Sequence, residues 1–252
     1  MSFRMNSPQG KAILALVREG DYAHPGGVEA IDVVAGGLPR TSMHRVLDVG
    51  CGRGGTANWF HQHGWGEIVG IDIDAQSIDY AQRTYTDVQF HTCDVSGLGR
   101  LSLPPFDLAY LFNSFYAFPD QQAALRVIRD ACRSGAHLSI FDYTQPKGGR
   151  LPEALGTEIG NPIVMENVIA WLEKEGWHAI SVTDMTDRFV CWYDAMLLKV
   201  EKIQQAILAM GGEDWYQYVH SWYGALRDAL ATGYVGGTVI HATAAAIGRH
   251  DG

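Results

Sequence analysis

A chain of 252 residues with a 47% hydrophobic share is long enough to bury a core without disulfide or metal staples, and suits one α/β domain. Its net charge is -9 and its Lys and Arg residues are scattered singly, so no positive patch is available to neutralise phosphates and nucleic-acid binding is not expected. No apolar run approaches the roughly 20 residues of a membrane helix, and the four cysteines (Cys51, Cys93, Cys132 and Cys191) show no CxxC or zinc-ligand spacing.

The polar opening MSFRMNSPQG carries no targeting pattern. With the dispersed thiols, this places the expected setting in a reducing cytoplasm. Ser7-Pro8 predicts a capped helix running to Gly20. A second helix follows His24-Pro25-Gly26-Gly27 and stops at Gly36-Gly37. HRVLDVG (44–50) reads as a buried strand, TANWFHQHG as a helix ended by Gly64, and EIVGID (67–72) as another strand. AQSIDYAQRTY is helical, VQFHTCD extended, and FDLAYLF (106–112) a fourth strand. QQAALRVIRDACRSG repeats apolar residues at helical spacing before a glycine stop, and AHLSIFDY (136–143) is a fifth strand. This alternation implies a parallel sheet with helices on both faces.

The remainder changes rhythm. A Pro- and Gly-punctuated loop (145–156) precedes the helix PIVMENVIAWLEKEG and a strand over 178–186. Two long helices are expected at roughly 188–210 and 213–231, then a closing strand TVIHATAAA after Gly236-Gly237. The long helices are dense in aromatic residues, which at such spacing pack a core or wall a ligand site.

The central chemical signal is Val46-Leu47-Asp48-Val49-Gly50-Cys51-Gly52-Arg53-Gly54-Gly55. A strand ends, glycines admit a ligand close to the backbone, and a helix begins with unpaired N–H groups. Gly50-x-Gly52-x-x-Gly55 fits a dinucleotide fingerprint, and Asp72, about twenty residues on, suits ribose hydroxyls. Two acids weigh against that reading. Asp48, inside the turn region, would repel a pyrophosphate but suits an ammonium. Asp94, after Cys93, can accept from an exocyclic amine.

In this order and spacing, LDVGCGRGG, GIDID, CDV, FDLAYLFNSFYAFPD and AHLSIFDY resemble the class I S-adenosylmethionine-dependent methyltransferases of the small-molecule type, strongly over 22–145. The resemblance implies one domain over 1–252: a doubly wound, Rossmann-like, seven-stranded and mostly parallel sheet. Strand seven is antiparallel, between strands five and six, and a helical substrate cap (187–235) is inserted between strands six and seven. It implies S-adenosylmethionine as cofactor and S-adenosylhomocysteine as product. Gly50, Cys51 and Gly52 would line the methionine moiety, with Asp48 on its amino group directly or through water. Asp72 would bind the ribose, Ile73 the adenine face, and Asp94 and Val95 the adenine edge. Phe112 and Asn113 would flank the sulfonium.

Tyr22 with His24-Pro25-Gly26-Gly27 resembles an N-terminal element that folds over the cofactor in some members, giving a covering role to residues 1–40. The same residues also read as a Pro-Gly turn that opens a helix. Members often carry His where this chain has Tyr116 and Ala117, so a base, if one is used, falls to Tyr116, His24 or Tyr22. Tyr22, Tyr116, Trp192 and Tyr193 are expected to contact the acceptor, the last three as an aromatic box for a cation. The expected reaction is in-line methyl transfer to a small molecule, an amine foremost and an O-methylated phenol or carboxylate next, with no metal. An NAD(P)-dependent oxidoreductase and a non-catalytic S-adenosylmethionine-binding protein are the alternatives. Neither nucleic acid nor membrane is an expected partner, and a homodimer is kept open.

Overall fold

A computed structural model describes residues 4–40, 45–153, 155 and 158–245. His44 and Ala246, each expected to extend a strand, lie outside the described residues, as do Met1–Phe3. Two helices open the chain, α1 (Pro8–Arg18) and α2 (Gly27–Gly36). The Ser7 hydroxyl accepts from the Gly10 N–H at 3.1 Å, and Pro8 occupies the first turn of α1. Then β1 (Arg45–Val49), α3 (Gly55–Gln62), β2 (Glu67–Asp72), α4 (Ala75–Thr84) and β3 (Gln89–Thr92) alternate. The series continues with β4 (Phe106–Phe112), α5 (Gln121–Asp130), β5 (Cys132–Thr144), α6 (Met165–Lys174) and β6 (Trp177–Asp184). Asp74 and Asp120 cap α4 and α5 through their carboxylates. Two long helices, α7 (Thr186–Lys202) and α8 (Gln204–Ala231), separate β6 from the last strand, β7 (Gly236–Ala244).

The seven strands form one sheet in the order β3-β2-β1-β4-β5-β7-β6. All pairings are parallel except those of β7, which runs antiparallel to both β5 and β6. The chain order reverses between β1 and β4, where a crevice opens beyond the strands' carboxyl ends. Period-2 alternation divides the core. Leu108, Tyr110 and Phe112 face α1, α2, α3, α7 and α8, while Ala109 and Leu111 face α5 and α6.

Three boundaries differ from the sequence reading. First, β5 begins at Cys132 rather than Ala136, because Phe106 pairs with Cys132 across a bulge and the Arg129 guanidinium holds the carbonyls of Cys132, Gly176 and Ala245. Second, α6 begins at Met165, because Ile163 pairs with β5: its N–H donates to Tyr143 O and its carbonyl accepts from Gln145. Third, a turn at Ile203 parts α7 from α8 where none was expected, while the expected break near Gly211-Gly212 is present inside α8 as the non-helical backbone of Gly212, at φ 79° and ψ -177°.

One polar pair crosses the core. Asp48 and Tyr110 are register partners on β1 and β4, and the Tyr110 hydroxyl donates to Asp48 Oδ2 at 3.1 Å. Asp48 is 2% exposed. Burial pushes its carboxyl up to about 8, with the Asp72 charge adding and the Tyr110 hydroxyl opposing. The folded chain therefore holds this proton more tightly than the unfolded chain. The contribution to stability is full below the ordinary carboxyl range near 4 and is lost as pH rises towards 8. We predict that Asp48→Asn flattens the pH dependence of unfolding. Between about pH 5 and 7 the wild type should lose roughly 1.4 kcal/mol per pH unit relative to the variant. Parallel denaturation curves for the two proteins would show that Asp48 is already ionised in the fold.

Candidate functional site

The crevice is built on the turn that follows β1. The Gly50 and Cys51 N–H groups both donate to Ile71 O, at 2.8 and 3.0 Å, so the end of β2 carries the turn. Gly50 adopts φ 80°, and a Cβ there would lie 2.4 Å from that of Ser114, so only glycine lets the turn seat on the loop after β4. From the other side the Ser114 hydroxyl donates to Val49 O at 2.6 Å. The Gly52 N–H donates to Asp72 Oδ2 and the Asp74 N–H to Asp72 Oδ1, both at 2.8 Å. These bonds hold the Asp72 carboxylate along the crevice with a lone pair still available on each oxygen.

The resulting groove encloses about 1190 Å³ including its open mouth. Gly50, Gly52, Asp72, Ile73, Asp94, Val95 and Asn113 line it, and the N-terminal segment adds Asn6, Lys11 and Ala23. Ile73 is 71% exposed, an apolar face beside an acid. Asp94 caps a 3₁₀ turn (Val95–Leu101): its Oδ1 accepts from Ser96 N–H and hydroxyl at 2.8 and 2.5 Å, which holds the carboxyl below its usual range. Asp48, Cys51 and Phe112 are placed differently from the expectation. All three are buried beneath the groove and do not line it. Being inside strands or facing inward from the turn, they support the site rather than present atoms to it.

A second chamber, about 640 Å³ including its open mouth, opens from the groove, sharing Gly52, Ala23, Asn113, Tyr116, Lys11 and Asn6 with it. Arg18, Tyr22, Tyr143, Glu158 and Trp222 complete much of its wall. Asn113 stands at the junction with φ 48°, its buried side chain beside the Asp142 carboxyl, whose charged form it favours. The Tyr116 N–H donates to the buried Asp142 at 3.1 Å. Its phenol is pushed well above the usual range, by burial first and the Asp142 charge second.

The structure does not bring the other expected acceptor contacts together. His24 is fully buried under the groove, 4.7 Å from the Phe112 ring, and lines neither cavity. Burial pushes it down to about 3. The neutral ring donates from Nδ1 to Pro25 O and accepts at Nε2 from Thr56, both at 3.0 Å, leaving no nitrogen for proton abstraction. Trp192 packs between Phe141 and Phe189 and donates to Glu29, on a separate cleft behind α1. Tyr193 is fully buried and hydrogen-bonded to Tyr143. The expected box of Trp192, Tyr193 and Tyr116 is therefore not formed. Trp222, five turns along α8 from its start, takes the wall position instead, and Arg18 and Glu158 carried no motif that sequence reasoning could use.

Comparison with known proteins agrees with this geometry. Residues 46–135 match the family model of a methyltransferase domain. The phosphoethanolamine N-methyltransferase of Triticum aestivum is 26% identical over 220 residues, covering 83% of this chain but 43% of the relative. An O-methyltransferase of Pyrenophora dematioidea is 33% identical over 123 residues, 46% of this chain and 45% of its own length. The chain thus spans less than half the length of these curated relatives. Haemonchus contortus phosphoethanolamine N-methyltransferase 2, solved with phosphomonomethylethanolamine and S-adenosylhomocysteine, has the same fold. It superposes with a TM-score of 0.86 at 20% identity, covering 97% of this chain and 60% of that one. The motif order, the sheet order and these likenesses together support a class I S-adenosylmethionine-dependent methyltransferase, with the methyltransferase-domain match confined to residues 46–135.

Proposed function

We propose that the protein binds S-adenosylmethionine in the groove and transfers its methyl group to a small molecule held in the adjoining chamber, an amine foremost. The observation that carries this reading is the continuity of the two cavities at Gly52, Asn113 and Tyr116. A groove with acids at two strand ends adjoins a chamber with aromatic walls along shared residues, as a two-reactant transfer requires.

The residues present fit that cofactor. The Gly50 cradle has no room for a Cβ, Asp72 and Asp94 offer acceptors at the ends of β2 and β3 along the groove, and Ile73 offers an apolar face. The bound cofactor supplies a methyl group on a sulfonium, already activated towards displacement. The protein's share is alignment, which contributes on the order of 7–11 kcal/mol when two reactants are held in attack geometry. Asn113, with its amide at the junction beside Asp142, orients the reacting ends, and Tyr22 and Trp222 exclude water. Tyr116 keeps its proton and acts as a hydrogen-bonding positioner rather than a base, so the acceptor nucleophile arrives with its lone pair free. Residues 187–235 act as the substrate cap through Trp222, and residues 1–40 cover the groove through Asn6, Lys11 and Ala23.

Thermal unfolding with single ligands tests the reading. S-adenosylmethionine or S-adenosylhomocysteine at about 100 times its dissociation constant should stabilise by roughly 2.7 kcal/mol, a shift of roughly 5–10 °C. A shift with NAD or NADP alone would instead establish the oxidoreductase alternative. Binding without turnover on any screened amine, phenol or carboxylate would leave a non-catalytic binding protein. Asp72→Ala should cost roughly 1.5–3 kcal/mol of S-adenosylhomocysteine affinity by calorimetry, and unchanged affinity would remove Asp72 from the site. Tyr116→Phe should lower kcat/KM by about 0.5–1.5 kcal/mol without moving the pH profile. A lost acidic limb, the rise of activity with pH, in the variant's profile would make Tyr116 the base after all.

A further inference from the structure

The chamber holds a buried cation that the methyl-transfer chemistry leaves unused. Arg18 ends α1 and faces the chamber. One guanidinium nitrogen donates to Tyr22 O at 3.0 Å, while Nε is buried with no partner. Among the described residues no carboxylate forms an ion pair with it. The other cations on this wall are already engaged: Lys11 holds Asp74 at 2.6 Å and Arg53 holds Asp21 at 3.1 Å. A buried guanidinium without a counter-anion is costly, and buried charges are ordinarily paired.

Its surroundings are phenolic. Tyr143, which lines the chamber, shares a hydrogen bond with Tyr193, and the buried Tyr223 hydroxyl beside them turns towards the Arg18 guanidinium. Burial works against the charge on Arg18; Tyr223, Tyr193 and Tyr143 act in the opposite sense, and the guanidinium stays charged as arginine does in proteins. A planar fork of donors ringed by hydroxyls matches an oxyanion, which Arg can grip with two parallel bonds. An ammonium would be repelled there. Glu158, on the same chamber wall and bonded by the Tyr218 hydroxyl at 2.7 Å, provides the negative charge suited to the opposite end.

We propose that Arg18 is the specificity anchor of the chamber, binding an oxyanion, carboxylate or phosphate, carried by the methyl acceptor. The acceptor is then a small molecule with an anionic end at Arg18 and its nucleophile at the Asn113–Tyr116 junction. This deepens the methyltransferase reading and rests on it for the word acceptor; the anion site itself does not depend on the cofactor.

The test is calorimetric titration of the full chain, with and without saturating S-adenosylhomocysteine, using matched probes. Phosphoethanolamine is compared with ethanolamine, and glycine with glycinamide. The anionic member of at least one pair should bind about tenfold or more tightly than its partner, the scale of a charge-assisted hydrogen bond. The pair that discriminates tells phosphate from carboxylate. Arg18→Met should abolish the preference, Arg18→Lys should keep part of it, and both should retain S-adenosylhomocysteine affinity, since Arg18 does not line the groove. Equal binding within both pairs overturns the proposal on the wild type alone, whatever the variants' folding. A preference that survives Arg18→Met overturns it as well. Failure of S-adenosylhomocysteine to bind the wild type would strike the methyltransferase reading, while an anion preference lost with Arg18 would still support the site.

Discussion

The site depends on how the end of β2 grips the turn after β1. A single carbonyl, that of Ile71, receives two successive N–H groups, and the next residue's carboxylate receives a third from Gly52. These bonds force the turn into positive φ at Gly50 and Gly52, where glycine carries no steric cost. They keep backbone at the groove floor and aim Asp72 along it. The parallel sheet makes this possible, since adjacent strands end together at one edge and the reversal of order between β1 and β4 leaves that edge open.

A second constraint joins the N-terminal segment to this platform. Asp21 pairs with Arg53 at 3.1 Å and accepts from the hydroxyls of Tyr80 and Tyr85 at 3.0 and 2.8 Å. Arg53 also stacks on Tyr80, 3.6 Å from its ring centroid. The Asp21 backbone lies so close to Gly55 that a Cβ there would approach it to 2.6 Å. One carboxylate thus ties the α1–α2 link to the start of α3 and to α4. That link carries Tyr22 and Ala23 over the junction and fixes the end of α1, which sets Arg18 into the chamber. A polar network with all its members paired holds its parts in one arrangement, and here it couples the acceptor wall to the glycine turn.

Much of this was legible in the order of residues. The strands with buried β-branched runs, the glycine turn and the acids closing β2 and following β3 follow from local pattern or from motif spacing, and the antiparallel last strand was implied by the family resemblance. Their signals are short-range: a turn needs its glycine, and an acid at a strand end has few places to point. The interior acid Asp48 was less legible. Period-2 alternation turns it into the core beside Tyr110, and only the β1–β4 register reveals that partner.

The sequence by itself determined the α/β class, the methyltransferase motif order and most of the groove, because those features are encoded in contiguous segments. Only the tertiary structure decided which aromatics wall the chamber. Trp192, Tyr193 and Trp222 share a composition and a helical setting, yet α7 turns Trp192 and Tyr193 into the core while α8 presents Trp222 to the cavity. It also decided the fate of His24 and Arg18. One is a chemically versatile ring locked under Phe112, and the other a helix-end cation left unpaired beside three tyrosines. Burial and the identity of neighbours set what each group does, and both come from elements far apart in the chain.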